Sequence, residues 1–476
     1  MSSNLITPVD VGPTGGPGAW LRHIGRSIAS WPVHYYNQMQ RRPLRASLLS
    51  ALVVLAIAYP YLNRNFFAGF SRTTFPLPLP DDTTMVFMLI FAIMAVGLNI
   101  VIGFAGLLDL GYVAFYALGA YTAAYLASPH WAGVSIHLFS NLPAGFPGIH
   151  MPFVIVILAA AVVAAVFGVL LGAPTLRLRG DYLAIVTLGF GEIVPVVFKN
   201  LVNVDFEFGP IKLVNANLTG GPLGINPIDA PNILGIRFGV IDDIRPVYLA
   251  FVILVISIVI ARNLERSRMG RAWMAIREDE TAAEMMGVNT VRTKLLAFGL
   301  GASFAGFAGA LQASYQGATT SDFFMFATSI IVVVMIILGG VGNIWGVILG
   351  ALVVQFVDKT LLAWIGARLG DLGRIIDVPE LGAVNPSRFS FLIFGIALVL
   401  MMRFRPEGFL PSRQRAAELH TAPPDQAIGS AALLDEQLTE EEMILPAIAE
   451  EAEARAEEAA EAEDAEPESG PPREGG

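Results

Sequence analysis

The stretch Gly270–Asn289 reads GRAWMAIREDETAAEMMGVN and lies between two long apolar runs, at about 246–263 and 295–315. A charged segment between two runs of bilayer length is an aqueous loop of a membrane protein. Thr281 and Glu284 have the Ser/Thr-x-x-Glu spacing of a capping box, in which each side chain satisfies the other's free backbone N–H. Gly287 is placed to end that short helix in a left-handed conformation, and Asn289 to cap the next helix. The spacing therefore predicts a compact helix–glycine–helix elbow at the membrane surface. Small Ala282 and Ala283 and adaptable Met285 and Met286 give it a face that another protein can grip. An ordinary charged loop is the plainer reading, and the caps and the Met/Ala face tilt the balance toward docking.

The rest of the chain agrees with a membrane setting. Of its 476 residues 54% are hydrophobic and only 15% charged, where a soluble domain carries about a quarter. This composition predicts an all-α polytopic membrane protein. Cysteine is absent, which rules out a disulfide framework and thiol chemistry. The net charge of −10 is local in origin: Asp435–Glu468 holds fifteen acids and one base, Arg455, so everything else sums to +4.

Apolar runs predict spans at about 46–62, 84–104, 106–126, 151–173, 181–199, 246–263, 295–315, 325–340, 343–364 and 389–403. These are about ten transmembrane helices. With a cytoplasmic N-terminus, twenty of the thirty Lys and Arg residues fall in inside segments, as the positive-inside rule requires. Both termini and the elbow are then cytoplasmic. Gly103–Gly106 and Gly339–Gly342 are short glycine-rich joints, open to reading as tight hairpins or as re-entrant breaks. Residues 1–45 read as a disordered cytoplasmic lead, with Trp20–Tyr36 a weak amphipathic alternative. The permease body spans 46–410, with the elbow loop at 265–294 and a large turn-rich external cap at 200–245. Residues 411–476 form an acidic tail, disordered or partly helical, that cannot build a core.

Polar groups inside the spans need a reason, because a charge at bilayer depth costs roughly 2.5–3.5 kcal/mol. Glu192 lies in Leu188-Gly-Phe-Gly-Glu-Ile-Val-Pro195; Gly189, Gly191 and Pro195 suggest a bent or unwound helix facing the bundle interior. Such half-helix ends can offer backbone groups to a zwitterion. A structural hydrogen bond from Glu192 to a neighbouring helix is the even alternative. Asn99, Asp109, Tyr112 and Tyr116 form a second set, with Tyr121 nearby; helix packing is favoured for it over lining a pathway. Asp358 and Lys359, near the end of the ninth span, are read as snorkelling to the interface.

No phosphate loop, HExxH, Cys/His cluster or nucleophile elbow occurs. The chain is therefore read as a non-enzyme with no cofactor, no metal site and no nucleic-acid partner. His23, His34, His130, His137, His150 and His420 all lie outside the apolar spans, which argues against a buried metal path.

Glu280-Thr-Ala-Ala-Glu-Met-Met-Gly287 resembles the EAA…G loop of ABC importer permeases, and Arg271–Leu296 is similar to the LivM branch, the branched-chain amino-acid permeases. The runs Gly106–Tyr121 and Leu218–Ile225 share that likeness, which extends over about residues 85–410 but not the N-terminal lead or the tail. The resemblance implies that the elbow is a coupling helix seated in a cleft of an ATPase subunit, with Arg271, Arg277, Glu280, Ala283, Glu284 and Gly287 at the contact. It implies a second, LivH-like permease, two ATP-binding subunits and a periplasmic substrate-binding protein as partners in a bacterial inner membrane, with lipid around them. Thr219, Gly220, Gly221 and Gly224 are the candidates for docking that binding protein. The implied cargo is branched-chain amino acids. Urea, another amide or another amino acid carried by the same pattern is one alternative. An ATPase-independent secondary transporter or channel is the other, and the elbow and the lack of an inverted repeat argue against it.

Overall fold

The computed structural model describes residues 58–63, 78–131, 135–137, 147–175, 181–202, 204–208, 211–233, 236–239, 244–376 and 385–410. The N-terminal lead with Trp20–Tyr36, most of the first expected span and the acidic tail lie outside the described residues; of the span, 58–62 is helical.

The chain then runs through α1 (Asp82–Asn99), α2 (Val113–Leu126), α3 (Phe153–Thr175), α4 (Asp181–Asn200) and α5 (Arg245–Arg266). Two short helices follow, α6 (Arg268–Glu278) and α7 (Glu280–Met285). After them come α8 (Thr290–Gln316), α9 (Phe326–Gly339), α10 (Ile344–Phe356), α11 (Leu362–Ile375) and α12 (Ser390–Phe404). Small sheets sit in the loops: β1 (Ala127–Ser128), β2 (Ser135–His137) and β3 (Gly148–His150) in one, and the hairpins β4 (Val204–Phe208)–β5 (Ile211–Ala216) and β6 (Asn232–Ile233)–β7 (Ile236–Arg237). Among the described residues, seven helical segments are long and apolar enough to cross a membrane, and two more, α2 and α9, are apolar but shorter. The protein is a polytopic helical membrane protein.

The centre of the bundle is α8, which packs against α1, α2 and α3. Small residues make this approach possible. A Cβ on Gly309 would lie 2.2 Å from the Tyr116 carbonyl oxygen, and one on Gly119 would lie 2.5 Å from that of Gly306. In lipid, where apolar surface gains little from burial against apolar surface, such backbone proximity is a main source of helix association.

Three expected elements are corrected. The expected span 106–126 is helical only from Val113; Ala105 to Tyr112 is non-helical, and α1 ends in a π-helical turn, Ile100–Phe104. The fourteen residues of α2 reach about 21 Å, short of the roughly 30 Å hydrocarbon core. Second, α4 is a continuous helix through Gly189, Gly191 and Pro195, neither unwound nor broken. Helices in lipid tolerate such residues because local adjustments re-satisfy the freed carbonyl. Third, the helix that carries Asp358 and Lys359 runs on past the expected end of its span at 364. The two side chains pair at 3.1 Å inside a π-helical turn, Val357–Leu361, that joins α10 to α11 in one helical run from Ile344 to Ile375.

Loops at the two ends segregate as alternate crossings require. At one end the Gly103 carbonyl accepts from Arg277, the Asn99 side chain accepts from the Gly342 N–H, and Leu410 N–H donates to the Gly339 carbonyl. At the other, Ile225 and Thr319 exchange backbone hydrogen bonds of 2.9 and 3.1 Å, and Asp229 N–H donates to the Ala127 carbonyl. His150 Nδ1 meets the Asp229 carboxylate there as well.

Candidate functional site

The elbow is built in three steps. Ser267 caps α6 by accepting from the Gly270 N–H, and α6 buries Gly270, Trp273 and Ile276. The indole N–H of Trp273 donates to the Thr293 carbonyl at 2.7 Å, fastening α6 to the start of α8. Asp279 then caps α7: its Oδ1 accepts from the N–H groups of Thr281 and Ala282 at 2.8 and 2.9 Å. This corrects the expected capping box. The cap is Asp279, because its extended backbone precedes the first helical residue and Thr281 already lies within the turn. Gly287 closes α7 at φ +86°. Its N–H donates to the Glu284 carbonyl and that of Val288 to the Ala283 carbonyl, the paired bonds of a Schellman motif. Asn289 Oδ1 accepts from the Arg292 N–H and starts α8.

Packing sorts the expected contact residues into two groups. Ala283 is buried against the body, Glu280 pairs with the buried Lys294, and Arg277 Nη1 donates to the Gly103 carbonyl at 2.7 Å. These three face inward. Arg271, Glu284 and Gly287 face outward, beside Met285 and Met286, which are 83% and 86% exposed. Two adjacent methionines left this bare on a turn closed at both ends form a stiff, adaptable apolar tip.

The elbow is tied into the bundle through the glycine joints. Gly106 (φ +70°) lies under the Arg277 side chain, so close that a Cβ would stand 2.8 Å from its Cγ. The buried Asn99 fills the space beside Gly103 and accepts from the Gly342 N–H at 2.9 Å. Asn343 Nδ2 donates onward to the Leu410 carbonyl. The elbow, the π-helical turn and the α9–α10 joint are thus linked by consecutive hydrogen bonds.

The second polar set holds helices together. Tyr112 Oη donates to the Gly301 carbonyl at 2.8 Å, and the Tyr116 ring packs edge-on against Phe324 at 5.3 Å. Asp109 is buried and accepts from the Gly111 N–H, while the adjacent Leu110 N–H donates to Thr187. Gly191 packs on Gly111, whereas Gly189 faces open space. Glu192, by contrast, is exposed on this chain and lines a cleft of about 750 Å³ between α4, α9 and α12, together with Pro195 and Lys199.

In the 200–245 loop, Thr219 is buried and its Oγ1 donates to the Phe198 carbonyl; Gly221 is buried as well. Gly220 and Gly224 take left-handed φ values, +72° and +69°, and a Cβ on Gly224 would collide with the Thr319 carbonyl. These four residues shape the loop. What the loop presents outward is Leu223, 88% exposed, which its plain leucine character in the sequence did not single out.

A family model described as branched-chain amino acid transport system / permease component matches residues 82–402. The LivM permease protein of the high-affinity branched-chain amino acid transport system of Salmonella typhimurium is 36% identical over 384 residues, covering 76% of this chain and 74% of that protein. Its Escherichia coli counterpart has the same identity and coverage. The Escherichia coli LivH permease is 32% identical over 106 residues, 22% of this chain and 34% of LivH. No solved structure matches. The fold, the elbow and a match across the bundle agree: this chain belongs to the family of branched-chain amino acid transport system permease components.

Proposed function

We propose that the chain forms one half of a translocation pathway for branched-chain amino acids in a bacterial inner membrane. A LivH-like permease supplies the other half. Two ATP-binding subunits grip the elbows, and ATP closure rocks the bundle between outward and inward openings. A periplasmic binding protein delivers the cargo to the 200–245 cap, where Leu223 is the apolar contact. Ten crossings put both termini and the elbow in the cytoplasm, with residues 1–45 and 411–476 as cytoplasmic extensions.

One observation carries this reading: a bare Met285–Met286 tip on an elbow whose other side is hydrogen-bonded into the bundle at Gly103. A flexible loop could not transmit a push; a capped turn anchored by Arg277 and Trp273 can. The segregation of loop ends and the two-to-one excess of Lys and Arg in the inside segments support the sidedness.

The test is uptake by the complete transporter in proteoliposomes with labelled leucine and labelled urea. Leucine accumulates only with ATP and binding protein, and Leu223→Asp raises the binding-protein concentration needed for half-maximal uptake several-fold. Urea uptake without leucine uptake would refute the cargo, and ATP-independent uptake would refute the mechanism.

A further inference from the structure

The cleft beside Glu192 carries charges that the coupling machinery does not use. Glu192, Pro195, Val196 and Lys199 line it from α4, at i, i+3, i+4 and i+7 on one face. From α12 come Phe391, Phe394, Gly395 and Leu398, with the same spacing. Ile330, Ile331 and Val334 of α9 close the back wall. Most of this wall is aliphatic or aromatic. Its polar groups are few and sit apart: Glu192 within the helix, and Lys199, Asp322 and Ser321 toward the end where α4 stops. Ser321 is 1% exposed and its Oγ has no hydrogen-bond partner among the described residues.

Because α4 is unbroken, Glu192 and Lys199 stand seven residues apart on one face, separated by about 10 Å along the axis. They are too far apart for an intrahelical ion pair, which needs i, i+3 or i, i+4 spacing. The gap has room for a small molecule that carries both charges, with hydrogen bonds of about 2.8 Å at each end. The Glu192 carboxylate suits an ammonium group and the Lys199 ammonium suits a carboxylate. The unpartnered Ser321 hydroxyl offers a further polar contact near Lys199, and the apolar wall suits a branched aliphatic side chain. An intramembrane carboxylate exposed on an apolar face is costly without such a partner.

We propose that this cleft is a transit site for a zwitterionic aliphatic amino acid, with Glu192 holding the α-ammonium group and Lys199 the α-carboxylate. This rests on the amino-acid reading of the cargo given above. The inferred site is distinct from the elbow, and its residues come from α4, α9, α12 and the short turn Ser321–Phe324 that precedes α9.

The test uses the complete transporter in proteoliposomes, with the two permeases verified to co-purify, and reads the KM and maximal rate of labelled leucine uptake with saturating binding protein. Glu192→Gln and Lys199→Met each raise KM or lower the maximal rate at least tenfold, whereas Lys199→Arg, which keeps the charge, stays within threefold of the unaltered protein. Unchanged kinetics in both Glu192→Gln and Lys199→Met overturn the site. Loss of the second permease from Glu192→Gln preparations also overturns it, and makes the cleft a subunit contact. If the unaltered transporter moves no leucine, isoleucine or valine, the cargo reading itself has failed; normal uptake with unaffected variants refutes the cleft alone.

Discussion

Gly287→Val abolishes ATP-driven uptake, to below about one-tenth, while the protein inserts at normal abundance. The space around Gly287 is open, with nothing within 4 Å of an added Cβ, so the effect is not a clash. It is conformational. At φ +86° a β-branched residue is strained, by roughly 1–2 kcal/mol. A six-residue helix, Glu280–Met285, has little else to hold its end. The bonds from Gly287 and Val288 to the Glu284 and Ala283 carbonyls open, and the Met285–Met286 tip loses its aim. Gly287→Asn separates this account from a simple need for glycine, since asparagine tolerates the left-handed region and shields the turn locally. It retains most uptake. Uptake and membrane abundance measured side by side decide the matter: normal uptake by Gly287→Val would remove the elbow's geometry from the mechanism.

The largest effect on folding is expected at Gly309. A Cβ there lies 2.2 Å from the Tyr116 carbonyl oxygen and 2.8 Å from the Ala120 amide nitrogen. Both are backbone atoms of α2 and neither can swing aside. In Gly309→Val α8 must withdraw from α2, and because α8 also packs on α1 and α3 the whole centre loosens. Overpacking typically costs about 1–3 kcal/mol, and a backbone collision belongs at or above the upper end. The expected result is at least a tenfold loss of monodisperse protein after detergent extraction, measured by size-exclusion chromatography. Gly189→Ala provides the contrast: its Cβ meets nothing within 4 Å, and extraction is unchanged. Equal yields for both variants would show that the α2–α8 approach is not what holds the bundle.

How much of this could be read from the chain depends on the length scale of each signal. Bilayer-length apolar runs are strong signals, and among the described residues the helices start and end within a few residues of the expected spans except at 105–112 and after 364, where the helical run continues to Ile375. Local caps were legible in part. Gly287 and Asn289 act as their residue types suggested, while the capping role expected of Thr281 and Glu284 belongs to Asp279. Two capping signatures overlapped there, and the backbone conformation at Asp279 decided between them. The unwinding expected near Glu192 is absent because propensity for glycine and proline is measured in water, and the membrane rewards an intact backbone ladder. The inward role of Arg277 was out of reach, since its partner Gly103 is 174 residues away in sequence. The same holds for Thr219, which looked like a surface group and is buried under the loop it shapes.

The sequence has no cysteine, so Met286→Cys would carry the sole thiol in the chain. Inside-out and right-side-out vesicles bearing this variant, treated with a membrane-impermeant maleimide with and without the ATP-binding subunits, test the central claim directly. The account predicts labelling in inside-out vesicles alone, and protection of that thiol once the ATP-binding subunits are bound. Labelling in right-side-out vesicles, or equal labelling with the subunits present and absent, would contradict it.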